Sequence, residues 1–220
     1  MMLIVGMSVT VDELQALATE RLAGVPEGDP LDALTRALVD FGVKASPATL
    51  ARPAIDAAIA AAYDAGATPA QLAEILTLVS ALGVHSLMAA GPTIAAEARR
   101  RGLAVEAEDE GLWNEKVGED PYWATFERFL PGFLRSLLAV APRTFRGFFD
   151  YCALPFTKAT VKSRVKELVA IATDATPAHR FLPGFRLHLE NAIKLGIGRR
   201  AILETLAIAA ACPAHEGFAE

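Results

Sequence analysis

The sequence predicts an all-α protein made of two tandem copies of one helical unit, on three observations. Apolar residues make up 53% of the 220 residues while aromatics make up 7%, and the excess is alanine and leucine, which cost little to hold in a helix. Proline and glycine punctuate amphipathic stretches of helical period. The chain also repeats itself: residues 35–90 align without a gap on 165–220 at an offset of 130. The match includes Leu38/Leu168, Val39/Val169, Pro47/Pro177, Pro53/Pro183, Gly66/Gly196, Glu74/Glu204, His85/His215 and Ala89/Ala219. Matched alanines mean little in this composition. Prolines and glycines in register mean more, because each imposes a strict backbone demand.

The two copies parse alike. Residues 31–42 and 160–174 form the first helix of each, and a proline-punctuated turn follows. Residues 54–65 and 184–195 form the second, stopped by Gly66 and Gly196. In copy one the third helix opens on Thr68-Pro69-Ala70-Gln71, with Thr68 to cap, Pro69 suited to the first helical position and Gln71 to close a capping box. Copy two opens on Gly198-Arg199-Arg200-Ala201, which puts two cations at the positive end of a helix dipole and calls for an acidic or anionic partner or a solvated surface. Between the copies, residues 103–120 carry seven acids against Lys116 and read as a solvated linker. Asp120-Pro121 starts a helix that Pro131-Gly132 ends, and 133–140 and 143–153 are expected as further helices. The organisation expected is a first unit over 1–102, the linker over 103–120 and a more complete second unit over 121–220.

The bulk properties exclude some functions. A net charge of −5 without a Lys/Arg stripe does not suit phosphate neutralisation, so no nucleic-acid partner is expected. Cys152 and Cys212 lie 60 residues apart and form no CxxC pair. The N-terminal MMLIVGMSVT lacks a basic leader, so a cytoplasmic protein is expected. Residues 75–96 contain no charged side chain and are long enough to span a bilayer. They also hold Ser80, Gly83, His85, Gly91 and Pro92, so the expectation is burial inside the chain or at a subunit interface, with no membrane.

Candidate chemistry gathers in copy two. Glu167, His179 and His188 stand where copy one has Ala37, Thr49 and Ala58. By helical periodicity His188 sits on the shoulder of the arc formed by Phe185, Leu189 and Ala192, where it is either a pocket-lining acid–base or a core-edge histidine. Glu167 points about 140° from the stripe of Val161, Val165, Leu168 and Ala172, yet the helix becomes apolar all round from Leu168, so that second face is expected to be buried, where Glu167 either transfers protons or pairs with Arg164 or Lys166. A pocket, if present, lies near the turn at 177–185, with His179, Phe181 and Phe185 binding the substrate and Tyr122 or Trp123 as further walls. His85, His215, Glu74 and Glu204 occur in both copies, which suggests a structural role at a pseudo-twofold contact. Cys212 is expected as a small buried hydrophobe. No HxxxH or HxH spacing is present, so no metal is expected.

KELVAIA (166–172), HLENAIKLGIG (188–198), Glu204 and the CPA turn (212–214) resemble, in order and spacing, the signature of the carboxymuconolactone decarboxylase / alkylhydroperoxidase-D-like superfamily. AYDAGATPAQLAEIL (62–76) resembles the same pattern in copy one. The resemblance implies an all-α oligomer, with a trimer favoured for a chain of two units, and it implies Glu167 and His188 as the proton-relay pair. The alkylhydroperoxidase-D branch carries a Cys-x-x-Cys pair where this chain has Phe181 and Gly184, and the turn here is about two residues longer. The resemblance therefore favours cofactor-independent decarboxylation or isomerisation of a small carboxylated or lactone substrate. A thiol peroxidase and a non-catalytic oligomeric binding protein are the alternatives.

Overall fold

The structure, a computed structural model, describes residues 8–105, 109–157 and 160–215, and among these every regular element is helical. In chain order they are α1 (Val11–Arg21), α2 (Ala33–Ala45), α3 (Arg52–Asp64), α4 (Pro69–Ser80), a 3-10 turn (Ala81–Val84) and α5 (His85–Arg100). There follow α6 (Glu110–Lys116), α7 (Pro121–Phe129), α8 (Phe133–Val140), α9 (Pro142–Thr157), α10 (Ser163–Asp174), α11 (Leu182–Lys194) and α12 (Arg199–Ala210). They divide into two compact units. One joins the chain up to Val79 with the chain from Thr160 onward, and the other runs from Ser80 through α9.

These units cut across the boundaries expected at 102 and 120. Helices α2–α4 and α10–α12 share one unit because each set offers apolar faces that the other covers. Leu38, Val39, Phe41, Ile75, Leu168, Val169, Ile171 and Ile202 are all buried there. Helices α2 and α10 cross closely at Gly42, where an added Cβ would lie 2.7 Å from a Val169 methyl. The helix limits also repeat. Shifted by 130 residues, α3 and α4 coincide with α11 and α12 at both ends, and α2 with α10 to within one residue. Among the described residues, the two non-glycines with left-handed backbone, Leu50 (φ 41) and Arg180 (φ 48), stand at the same offset, as do Gly66 and Gly196. The N–H groups of Leu50 and Arg180 donate to the carbonyls of Ser46 (3.1 Å) and Thr176 (3.2 Å), which holds both residues in a conformation costly to an L side chain.

The acids of the third helices make a reciprocal exchange. Glu74 on α4 pairs with Lys166 on α10 at 2.5 Å and accepts from the Val161 N–H. Glu204 on α12 pairs with Arg36 on α2 at 2.5 Å and accepts from the Leu31 N–H. Each third helix thus fastens the start of the first helix of the other set. The histidines expected beside them do not follow suit. His85 opens α5 in the other unit, whereas His215 lies exposed beyond α12. Equivalence of local structure stops at Ser80 and Ala210, and Ala219 lies outside the described residues.

Local caps follow the sequence closely. Thr68 and Gln71 form the reciprocal capping pair (2.8 and 3.2 Å), and the Asp120 carboxylate accepts from the Tyr122 N–H at 2.9 Å. The uncapped start of α12 is solved from a distance. The N–H groups of Arg199 and Arg200 donate to the carbonyls of Pro26 and Glu27, both at 2.9 Å, satisfying two of the orphan donors of a helix start. Arg199 also pairs with the Glu27 carboxylate and Arg200 with Glu204, so the two cations do have acidic partners. This pairing brings Gly28 onto Gly198 so tightly that a Cβ on Gly28 would lie 2.7 Å from the Gly198 Cα.

The segment 103–120 is not a plain linker. It contains α6, capped by Asp109 and anchored by buried Leu112 and Val117. Two of its acids have cationic partners in their unit: Glu110 pairs with Arg135 at 2.7 Å and Glu115 with Arg146 at 3.4 Å, and the Arg135 guanidinium lies 3.6 Å over the Trp113 ring. Glu106 and Glu108 lie outside the described residues. Helix α9 runs past the 153 expected of it to Thr157, carrying Pro155 inside its last turns. Tyr122 and Trp123 belong to an aromatic cluster of this unit, where Trp123 packs edge-on to Phe126 and Phe149.

The uncharged run is only partly covered. Residues Pro69–Arg100 are long and apolar enough to cross a membrane by length and composition, and 22% of their most apolar window is buried within the chain. Ile75, Val79, Gly91 and Ala95 are buried, whereas Leu76 and Ile94 stand 45% and 56% exposed. Burial inside the chain thus covers only part of the run.

Candidate active site

Helix α10 is enclosed on every side from Lys166 to Asp174, because it packs against α2, α11 and α12 together. A polar side chain on this stretch must find its partner within the protein. Glu167 does so across the α10–α11 seam. Its Oε2 lies 2.8 Å from Nδ1 of His188, and its Oε1 accepts from the Asn191 amide at 3.4 Å. His188 retains 22% side-chain exposure and Glu167 11%, so the pair stands at the rim of the core with the imidazole nearer solvent. The sequence-derived positions on the buried shoulder of α11 and the second face of α10 are the positions that meet.

With Nδ1 engaged by Glu167, the remaining ring nitrogen, Nε2, has no hydrogen-bond partner among the described residues. A carboxylate on one nitrogen fixes the tautomer and leaves the other for proton transfer. Burial alone would lower the His188 pKa. The Glu167 charge, the hydrogen bond to it and the charge of Asp174 outweigh burial and leave it raised.

The turn between α10 and α11 carries the rest. His179 lies with Nε2 3.7 Å from Oδ1 of Asp174, and its ring tilts against Phe181 at 5.9 Å between centroids. Burial lowers the His179 pKa. Phe181 is half-buried at the entry to α11, whereas Phe185 is fully enclosed in the core. Sequence reasoning passed over Asp174 and Asn191. Asp174 carried a signal: it lies seven residues after Glu167, on the same helix face, with its charge at the unfavourable C-terminal end. Burial pushes its carboxyl up to about 7, against the pull of the His188 charge.

A cavity of about 570 Å³ lies elsewhere in this unit, between the 24–32 segment, the start of α10 and the 196–198 turn. Neither Glu167 nor His188 lines it. The cysteines are half-buried, and burial pushes the Cys152 thiol up to about 11 and raises Cys212 as well.

No family model and no curated protein matches the chain. Among solved structures it is similar to a protein from Burkholderia xenovorans LB400 described as "a putative gamma-carboxymuconolactone decarboxylase subunit". The TM-score is 0.70 at 26% identity, over 90% of this chain and 77% of that one. The chain therefore has the all-α carboxymuconolactone decarboxylase-like fold.

Proposed function

We propose that this is a cytoplasmic carboxymuconolactone decarboxylase-like enzyme of two tandem helical copies, of which the second, carrying Glu167 and His188, catalyses cofactor-independent proton transfer on a small carboxylated or lactone substrate. The observation that carries the reading is the 2.8 Å contact between Glu167 and His188. In the reaction, Glu167 holds the Nδ1 proton and orients the ring. Nε2 of His188 takes a proton from the substrate, or returns one to the carbanion left when carbon dioxide departs. The equivalent positions of the first copy, Ala37 and Ala58, have no such groups.

Peroxidase chemistry fits less well. It needs a thiolate nucleophile, positions 181 and 184 hold Phe and Gly, and both thiols have raised pKa values. The exposed Leu76 and Ile94 on the uncharged run support a homo-oligomer, with a trimer as the form to look for by light scattering. The test of function is release of carbon dioxide from carboxymuconolactone and related lactone acids. Glu167→Gln and His188→Gln are each expected to lower kcat by about 10²–10⁴-fold. Equal rates in wild type and both variants would overturn the assignment. If the wild type turns over none of these acids, the non-catalytic binding protein becomes the better reading, one supported by the absence of Glu167 and His188 from the cavity lining.

A further inference from the structure

We propose that Asp174 is a positioning residue of the Glu167–His188 site, seated in the space left by the missing side chain of Gly184, and that its carboxylate supports the protonated form of His188. This deepens the acid–base reading above and rests on it.

The geometry comes from two helix spacings. On α10, Glu167 and Asp174 are seven residues apart and share a face; on α11, Gly184 and His188 are four apart and share a face. The two faces meet in the seam where Glu167 reaches His188. Asp174 enters the same seam about one turn toward the start of α11. An ideal Cβ on Gly184 would lie 2.4 Å from Oδ2 of Asp174 and 3.2 Å from its Cγ. The buried carboxyl thus occupies the volume that any side chain at 184 would take. The Phe181 N–H donates to the Asp174 carbonyl at 2.9 Å, so backbone and side chain of Asp174 both meet the entry of α11.

The first copy supplies an internal comparison. There the position equivalent to Asp174 is Lys44, which pairs with Asp40 on its own helix at 2.7 Å, and the position equivalent to Gly184 is Ala54. Where the buried acid is lost, the glycine is lost as well. The helices involved have the same limits to within one residue. The acid and the glycine behave as one device, present only in the copy that also holds Glu167 and His188.

A buried carboxylate near an imidazole favours the imidazolium through charge, without touching the substrate. The groups that bear on His188 in this unit are Glu167 by contact, Asp174 by charge, and the uncharged Asn191 through Glu167. His179, with Nε2 3.7 Å from Oδ1, is a further titratable neighbour of Asp174.

The experiment is an NMR titration of the His188 imidazole in the full chain, assigned by loss of its signal in His188→Gln. Asp174→Asn, which conserves shape, is expected to lower the His188 midpoint by about one pH unit. Gly184→Ala should lower it in the same direction by displacing the carboxyl. The double variant should add little to Asp174→Asn alone, the non-additivity expected of groups that share one volume. An unchanged His188 midpoint in folded Asp174→Asn overturns the inference. Should that variant not fold, an unchanged midpoint in Gly184→Ala does the same. Glu167→Gln separates this from the catalytic reading: if it lowers the midpoint and the Asp174 and Gly184 variants do not, the pair stands and the role of Asp174 falls. The reverse pattern would remove the Glu167–His188 pair instead.

Discussion

Replacing Glu74 by alanine and, separately, Glu204 by alanine sets two positions 130 residues apart, on helices of matching limits, against each other in one chain. Both acids fasten a third helix to the start of a first helix, and both pairs are 2.5 Å apart. They differ in burial: Lys166 and Glu74 are 1% and 9% exposed, whereas Arg36 and Glu204 are 49% and 22% exposed. Removing one member of a buried pair costs about 3–5 kcal/mol, because the other charge stays desolvated. Glu74→Ala also takes the acceptor from Thr160, whose N–H and hydroxyl donate to it at 2.7 and 2.6 Å. Glu204→Ala leaves an arginine that water can solvate, so its effect should be a small fraction of that. Urea unfolding followed by far-UV circular dichroism measures both. Tryptophan fluorescence does not, since Trp113 and Trp123 lie in the other unit. The pH dependence gives a second check. Burial acts to raise the Glu74 pKa, but the Lys166 and Thr160 hydrogen bonds outweigh it and leave the pKa lowered. The stabilisation is therefore full above the unfolded carboxylate value of about 4.3 and is lost as pH falls through the lower folded value. The gap between wild type and Glu74→Ala should narrow below about pH 4. Equal destabilisation by the two alanines at neutral pH would refute the burial argument.

Two further expectations come from packing and thiol chemistry. Gly28→Ala should lower the melting temperature by several degrees, because its Cβ would meet Gly198 backbone at 2.7 Å and its φ is +67. Gly24→Ala, which meets nothing within 4 Å, is the control and should change it little. Cys152, with its thiol pushed up to about 11, should react with iodoacetamide at neutral pH far more slowly than a free thiol, and rapid modification would contradict the burial that causes the shift.

Much of this protein is written locally. The capping pair Thr68/Gln71, the Asp120 cap, the left-handed glycines and the apolar stripes of α10 and α11 depend on residues within a turn or two of each other, so sequence alone places them. The same holds for the candidate pair. Helical periodicity put His188 on a buried shoulder and Glu167 on a second buried face, and each is found there. Other features depended on which helices meet. The 103–120 segment looked like a solvated acidic stretch because its counter-charges, Arg135 and Arg146, come from elsewhere in the unit. Asp174 drew no notice in the sequence, and the approach of α11 at Gly184 helps to enclose its carboxyl. The division into units went unseen for the same reason: repeats adjacent in sequence are expected to fold separately, but each here buries its apolar face on the other. Backbone propensity and period are properties of neighbouring residues, which the sequence states directly. Burial, charge pairing and shared volume belong to residues on different helices, and tertiary packing alone decides them.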